Sequence, residues 1–158
     1  MKRLAIFCDG TWNNLSMAAL TNVARLAKSV ESPAPTDGVE QVVFYDPGVG
    51  VPSRISRVVD FLTGMMGGAF GGGIEDKIEN AYRFLVLNYE PGDEIYVFGF
   101  SSGAYTARSL CGLIRKCSIL RRDCFHMTPQ AMDLYRKKVH PPTSPISATS
   151  TATSIRAA

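Results

Sequence analysis

Ser101 stands in Gly99-Phe100-Ser101-Ser102-Gly103, a G-x-S-x-G run with an apolar strand before it and a helix-forming run of small residues after it. A serine hydroxyl becomes a useful nucleophile when a strained strand-to-helix turn projects it above a sheet and its neighbours let the backbone pass close. Gly99 and Gly103 provide that room, and the arrangement is that of a nucleophile elbow. The same turn places the backbone N–H of Ser102 at a helix N-terminus, where negative charge on oxygen is stabilised. One loop therefore carries both attack and half an oxyanion hole. The competing reading is a glycine-rich loop that only packs a helix tightly on a strand.

The surrounding elements must deliver this turn. Leu4 to Cys8 is an all-apolar strand, as in a sheet covered on both faces, and it runs into Asp9-Gly10-Thr11-Trp12-Asn13-Asn14. Thr21 caps a helix whose inner stripe is Val23, Leu26, Ala27 and Val30, and Ser32-Pro33-Ala34-Pro35 stops it. Val42 to Tyr45 forms a second strand, closed by Asp46-Pro47-Gly48-Val49-Gly50. Asp46 reads as the cap of that turn in preference to a metal ligand. Gly64 to Gly73 reads as a mobile apolar loop, in which Met65, Met66 and Phe70 pack over the core or touch an acyl chain. Ile74, Ile78, Ala81, Tyr82 and Leu85 then stripe a helix, and Ile95 to Phe100 makes the third strand. Ala107, Leu110, Cys111 and Ile114 line the helix behind Ser101, and Thr128 caps a short helix with Pro129 at its first position. Three alternations of strand and helix predict parallel strands joined by crossovers, with the ligand at the carboxyl ends of the strands. The fold class is α/β.

A chain of 158 residues with 46% hydrophobic and 20% charged content has a globular composition. Its net charge of +3 is uneven: residues 1–100 hold 8 basic against 12 acidic groups, and residues 101–158 hold 9 against 2. The basic residues read as solvated helix ends, with an anionic membrane surface as the alternative; no nucleic-acid platform is recognisable. Cys8, Cys111, Cys117 and Cys124 form no C-x-x-C pair and read as reduced thiols in apolar surroundings. The apolar run after Lys2-Arg3 is too short for a signal peptide, and no stretch approaches the roughly 18 apolar residues of a membrane span. The expected location is the cytoplasm, as synthesised. From Pro141 the chain turns rich in Ser, Thr, Pro and Ala, which divides it into a folded part at 1–140 and a disordered tail at 141–158. That change suggests a truncated or frame-shifted product, or a natural linker.

FCDGTWNN, TNVARLA, VVFYDPGVG, GGAFGGGIEDKIENAYRFL and YEPGDEIYVFGFSSGAYTARSL, in this order, resemble the α/β-hydrolase domain of the type VI secretion phospholipase effectors over residues 2 to 138. The resemblance implies a three-layer parallel sheet of the α/β-hydrolase type, and here only its amino-terminal half, ending after the helix that follows the elbow. It implies carboxylic-ester hydrolysis of lipids by the nucleophile Ser101. It also implies an oxyanion hole made by the Ser102 N–H and a second N–H from Gly10 or Thr11, and export by a dedicated secretion system. The residue after the nucleophile is usually arginine in that family and is Ser102 here. The triad acid and base follow the nucleophile in this fold, and the candidates are weak: His126 and His140 read as residues of connections, and Asp123 and Asp133 as poor orienting carboxylates. No cofactor or metal is implied by the motifs, and the resemblance leaves a structural or activating divalent ion open. The phosphatase signature D-x-D-G-T fails because Phe7 occupies the nucleophile position, and neither glycine cluster completes G-x-G-x-x-G after the first strand. The other class of reading is a non-catalytic remnant that binds a partner or a second copy through an open sheet edge, where Ile95 and Val97 would stand uncovered.

Overall fold

A computed structural model of the chain describes residues 1–11, 13–16, 18–30, 37–48 and 72–137, together with the backbone of 155–157. The proline stop near Pro33, Val49-Gly50, the glycine-rich loop with Met65, Met66 and Phe70, His140 and the beginning of the tail lie outside the described residues.

Arg3–Cys8 forms β1, Asn22–Ser29 α1, Gln41–Asp46 β2, Gly72–Asn88 α2, Glu94–Gly99 β3 and Ser102–Cys117 α3. A 3-10 turn over Arg122–Met127, which the periodicity does not reveal, leads into α4 (Thr128–Arg136), and Ile155–Ala157 forms β4. The strands order as β2-β1-β3-β4, each pair parallel, which establishes an α/β fold. β1 lies between β2 and β3, as the alternation of elements requires.

Because β1 is buried along its length, its alternating side chains serve two cores. Leu4, Ile6 and Cys8 face α2, α3 and α4 with Ile78, Tyr82, Leu85, Leu110 and Leu113. Ala5 and Phe7 face α1 through Val23, with Phe7 stacked on Phe98 at 4.9 Å. The predicted stripe of α2 is buried throughout. That of α1 needs correcting at Leu26, which is 42% exposed, while Ala24 is buried. At 100° per residue, Val23, Ala24, Ala27 and Val30 centre on one face and leave Leu26 about a quarter-turn away.

Three further expectations change. Phe100 lies beyond β3 and is 51% exposed, because the chain turns at once into α3. Thr128 is the first residue of α4 and not its cap, which is Met127; its hydroxyl donates back to Phe125 O at 2.8 Å. The β3 edge is not bare: β4 pairs with Ile95, Tyr96 and Val97, and Ile95 and Val97 are buried. Backbone pairing of this kind asks only for N–H and C=O groups, which a Ser/Thr/Ala-rich segment has as well as any other.

Candidate active site at the ends of three strands

The register sets Cys8 opposite both Asp46 and Gly99, so β1, β2 and β3 end level and release their loops at one height. The cross-links continue past the strands: Asp9 N–H donates to Asp46 O at 2.9 Å, and Phe100 N–H to Cys8 O at 3.1 Å.

At the β3 end, Ser101 takes φ 55° and ψ −120°, a conformation that glycine enters freely and other residues enter under strain. The turn closes with Gly103 N–H on Phe100 O at 2.9 Å and Ala104 N–H on Ser101 O at 3.0 Å. Ser101 is exposed, whereas Ser102 is 5% exposed. The two glycines are required by contact. A Cβ on Gly103 would lie 2.0 Å from Cys8 O, and one on Gly99 would lie 2.5 Å from Gly103 O. The helix is thereby drawn down onto the strand ends, and Ser101 is left at its N-terminal tip.

At the β1 end, the Asp9 carboxylate is buried and fully engaged. Its Oδ1 accepts Gly10 N–H at 2.8 Å, and its Oδ2 accepts the hydroxyls of Thr21 at 2.8 Å and Tyr45 at 2.6 Å. Burial, and then the bond to Asp9, push the Tyr45 phenol above its ordinary range. Asn13 braces the same loop, donating from Nδ2 to Gly10 O and Thr11 O at 3.1 Å each. The β2 turn closes over it, with Gly48 N–H on Asn13 O at 2.9 Å; a Cβ on Gly48 would lie 1.6 Å from Gly10 O. Thr21, Tyr45 and Asn13 fall within the motif blocks but are not singled out by them for the site, and their part in it exists only once the strands are aligned.

The Asp9 loop and the Ser101 turn meet directly. Thr11 N–H donates to Ser102 Oγ at 2.9 Å, and the two hydroxyls lie 2.9 Å apart, across 91 residues of sequence. Of the expected site residues, Gly10, Thr11, Gly99, Ser101, Ser102 and Gly103 are thus gathered in one place. The Gly10 and Thr11 N–H groups, however, already have acceptors in Asp9 Oδ1 and Ser102 Oγ. Asp46 is more than a turn residue. Its carboxylate pairs with Lys77 at 2.8 Å, and Lys77 also donates to Pro47 O. Burial raises the Asp46 carboxyl against the pull of Lys77, and beside it burial pushes the Cys8 thiol up to about 12.

His126 is exposed and lies in the 3-10 turn. α4 follows that turn and packs along α3, with Cys117 Sγ on Ala131 O and Tyr135 against Gly112. His126 therefore belongs to the carboxyl end of α3, whose 16 residues span about 24 Å from the Ser101 tip. Asp123 pairs with Arg121 at 2.9 Å and Asp133 with Arg136 at 3.0 Å, and neither has a histidine partner among the described residues.

Fold and site together define an α/β domain with an exposed serine at a strand-to-helix turn. The chain belongs to the T6SS phospholipase effector Tle1-like family, whose catalytic-domain model matches residues 2–156. It is also 33% identical over 143 residues to a Saccharomyces cerevisiae protein described as Uncharacterized protein YEL023C, a match covering 86% of this chain and 20% of the yeast protein. The chain thus spans about a fifth of the length of that relative. No solved structure matches it. Among the described residues, no helix is long and apolar enough to cross a membrane.

Proposed function

We propose that this chain carries the nucleophile and oxyanion side of an α/β-hydrolase-type active site that cleaves carboxylic esters of phospholipids. Family membership supports the substrate class. The observation that carries the mechanism is the strained, exposed conformation of Ser101 at the tip of α3. The Ser101 Oγ attacks the ester carbonyl carbon, and the π pair moves onto the carbonyl oxygen. The Ser101 proton passes to a general base and from it to the leaving alkoxide as the ester C–O bond breaks, and water then releases the acyl group by the same route. The Ser102 N–H, one of the helix's first unfilled donors and at the positive end of its dipole, meets the developing oxyanion. A donor of this kind contributes about 3 kcal/mol to the transition state. The exposed Phe100 ring offers apolar surface beside the nucleophile, suited to an acyl chain.

The base and acid are not assigned to His126, Asp123 or Asp133. The distance of His126 from Ser101 favours a second reading, a partner-binding fragment of such a hydrolase that does not turn over. One experiment separates the two. A fluorophosphonate probe labels the wild type and spares Ser101→Ala if Ser101 is an activated nucleophile. Equal labelling of both removes Ser101 from that role, and no labelling of either supports the binding fragment.

A further inference from the structure

The two backbone donors expected on the Asp9 loop are engaged, so the second oxyanion donor must be found by accounting for protons. Ser102 Oγ has one proton and two lone pairs. One lone pair receives the Thr11 N–H at 2.9 Å. The hydroxyl is buried, and its own proton needs an acceptor, since an unpaired buried donor forfeits its hydration without replacement. Among the described residues, the acceptor in reach is Thr11 Oγ1, 2.9 Å away. Ser102 therefore donates and Thr11 Oγ1 accepts. In the opposite arrangement, the Thr11 hydroxyl would donate into Ser102 and strand the buried proton. With Ser102 as the donor, the Thr11 hydroxyl keeps its own proton, which has no acceptor among the described residues, on a residue that is only partly buried.

We propose that the Thr11 hydroxyl, aligned by Ser102 Oγ, is the second donor to the oxyanion, opposite the Ser102 N–H. The assignment rests on Ser101 being the nucleophile. The spans agree. The N and Oγ of one serine lie roughly 3 Å apart by covalent geometry, and Ser102 Oγ lies 2.9 Å from Thr11 Oγ1. The two donors are therefore at most about 6 Å apart, the most that two hydrogen bonds of about 2.9 Å can bridge onto one oxygen. The loop is also rigid where it has to be, since Asp9 holds Gly10 from below and Asn13 ties the carbonyls of Gly10 and Thr11 together. The chain Ser102 O–H, Thr11 O–H, oxyanion is polarised in one direction, each bond strengthening the next. Ser102 thus acts through its N–H on the oxyanion and through its hydroxyl as a positioning group.

The test compares second-order rates of fluorophosphonate labelling, and kcat and KM for p-nitrophenyl butyrate, in the purified chain and in Ser101→Ala, Thr11→Val, Thr11→Ser and Ser102→Ala. Thermal melts check that each variant is folded. Thr11→Val keeps the backbone N–H and loses only the hydroxyl. It is expected to label about a hundredfold more slowly, with kcat reduced and KM held. Thr11→Ser restores most of the rate. Ser102→Ala leaves the Thr11 hydroxyl in place but unaligned, and falls by about tenfold. Wild-type rates in folded Thr11→Val, or a loss in Thr11→Ser as large as in Thr11→Val, would overturn the assignment. If Thr11→Val does not fold, an unchanged rate in Ser102→Ala overturns it instead. Equal labelling of wild type and Ser101→Ala, or labelling of neither, rejects the nucleophile, and the oxyanion donor with it, a result distinct from any change confined to the Thr11 variants.

Discussion

The backbone of Ser101 makes a prediction about stability that needs no substrate. Its φ of 55° and ψ of −120° lie where a residue with a Cβ is held at a cost of about 1–3 kcal/mol, while glycine is held at almost none. Ser101→Ala keeps that strain and removes an exposed hydroxyl. Ser101→Gly relieves the strain but gives the unfolded chain more freedom, which costs the folded state about 0.5–1 kcal/mol. The balance leaves Ser101→Gly more stable than Ser101→Ala by about 1 kcal/mol, or roughly 2–4 °C in Tm for a chain of this size. Both variants lack the hydroxyl, so the comparison isolates the backbone. Urea denaturation followed by circular dichroism, with calorimetry in parallel, measures the difference. Equal stability, or a less stable glycine variant, would refute the argument that the fold stores strain at this serine. The expected result is the stability–activity trade-off of a turn shaped for chemistry.

Other expectations follow from the same contacts. Gly103→Ala would set a Cβ 2.0 Å from Cys8 O and 2.6 Å from Asp9 O, backbone atoms that cannot swing aside. It should cost about 3 kcal/mol in unfolding free energy, and a neutral effect in urea would contradict the close approach. For Asp93, burial alone would raise the carboxyl, but the Lys2 side chain at 2.7 Å, the Lys2 N–H and the Glu90 N–H outweigh it and hold the pKa below the ordinary value. A depressed carboxyl stabilises the fold above its unfolded pKa and loses that contribution as pH falls through its folded one. The stability gap between wild type and Asp93→Asn should therefore be full at pH 7 and shrink below about pH 4; a gap independent of pH would show that the carboxylate charge contributes nothing. Cys8, buried and with its thiol pushed up to about 12, should resist iodoacetamide at pH 8 until the chain unfolds. Mass spectrometry showing Cys8 alkylated as fast as Cys124 in the folded chain would refute its burial.

Much of this protein was already legible in its residues, and the reason in each case is local. The all-apolar run from Leu4 to Cys8, ended by Asp9 and Gly10, marked a buried strand, and the spacing of Ile74, Ile78, Ala81, Tyr82 and Leu85 marked a helix facing a core. Ser101 was marked by Gly99 and Gly103, because the absence of a Cβ at two fixed offsets is itself a covalent property of the sequence. Other features were decided by tertiary structure. The level ending of β1, β2 and β3 brought Tyr45 and Thr21 onto Asp9, and Ser102 onto Thr11, pairs separated by 36, 12 and 91 residues. Hydrogen-bond partners so far apart leave no mark in a periodicity, since they depend on register and not on neighbours. For the same reason Gly10 and Thr11 could be named as N–H donors through the family resemblance, while the acceptors that occupy those N–H groups appear only when the loops are brought together.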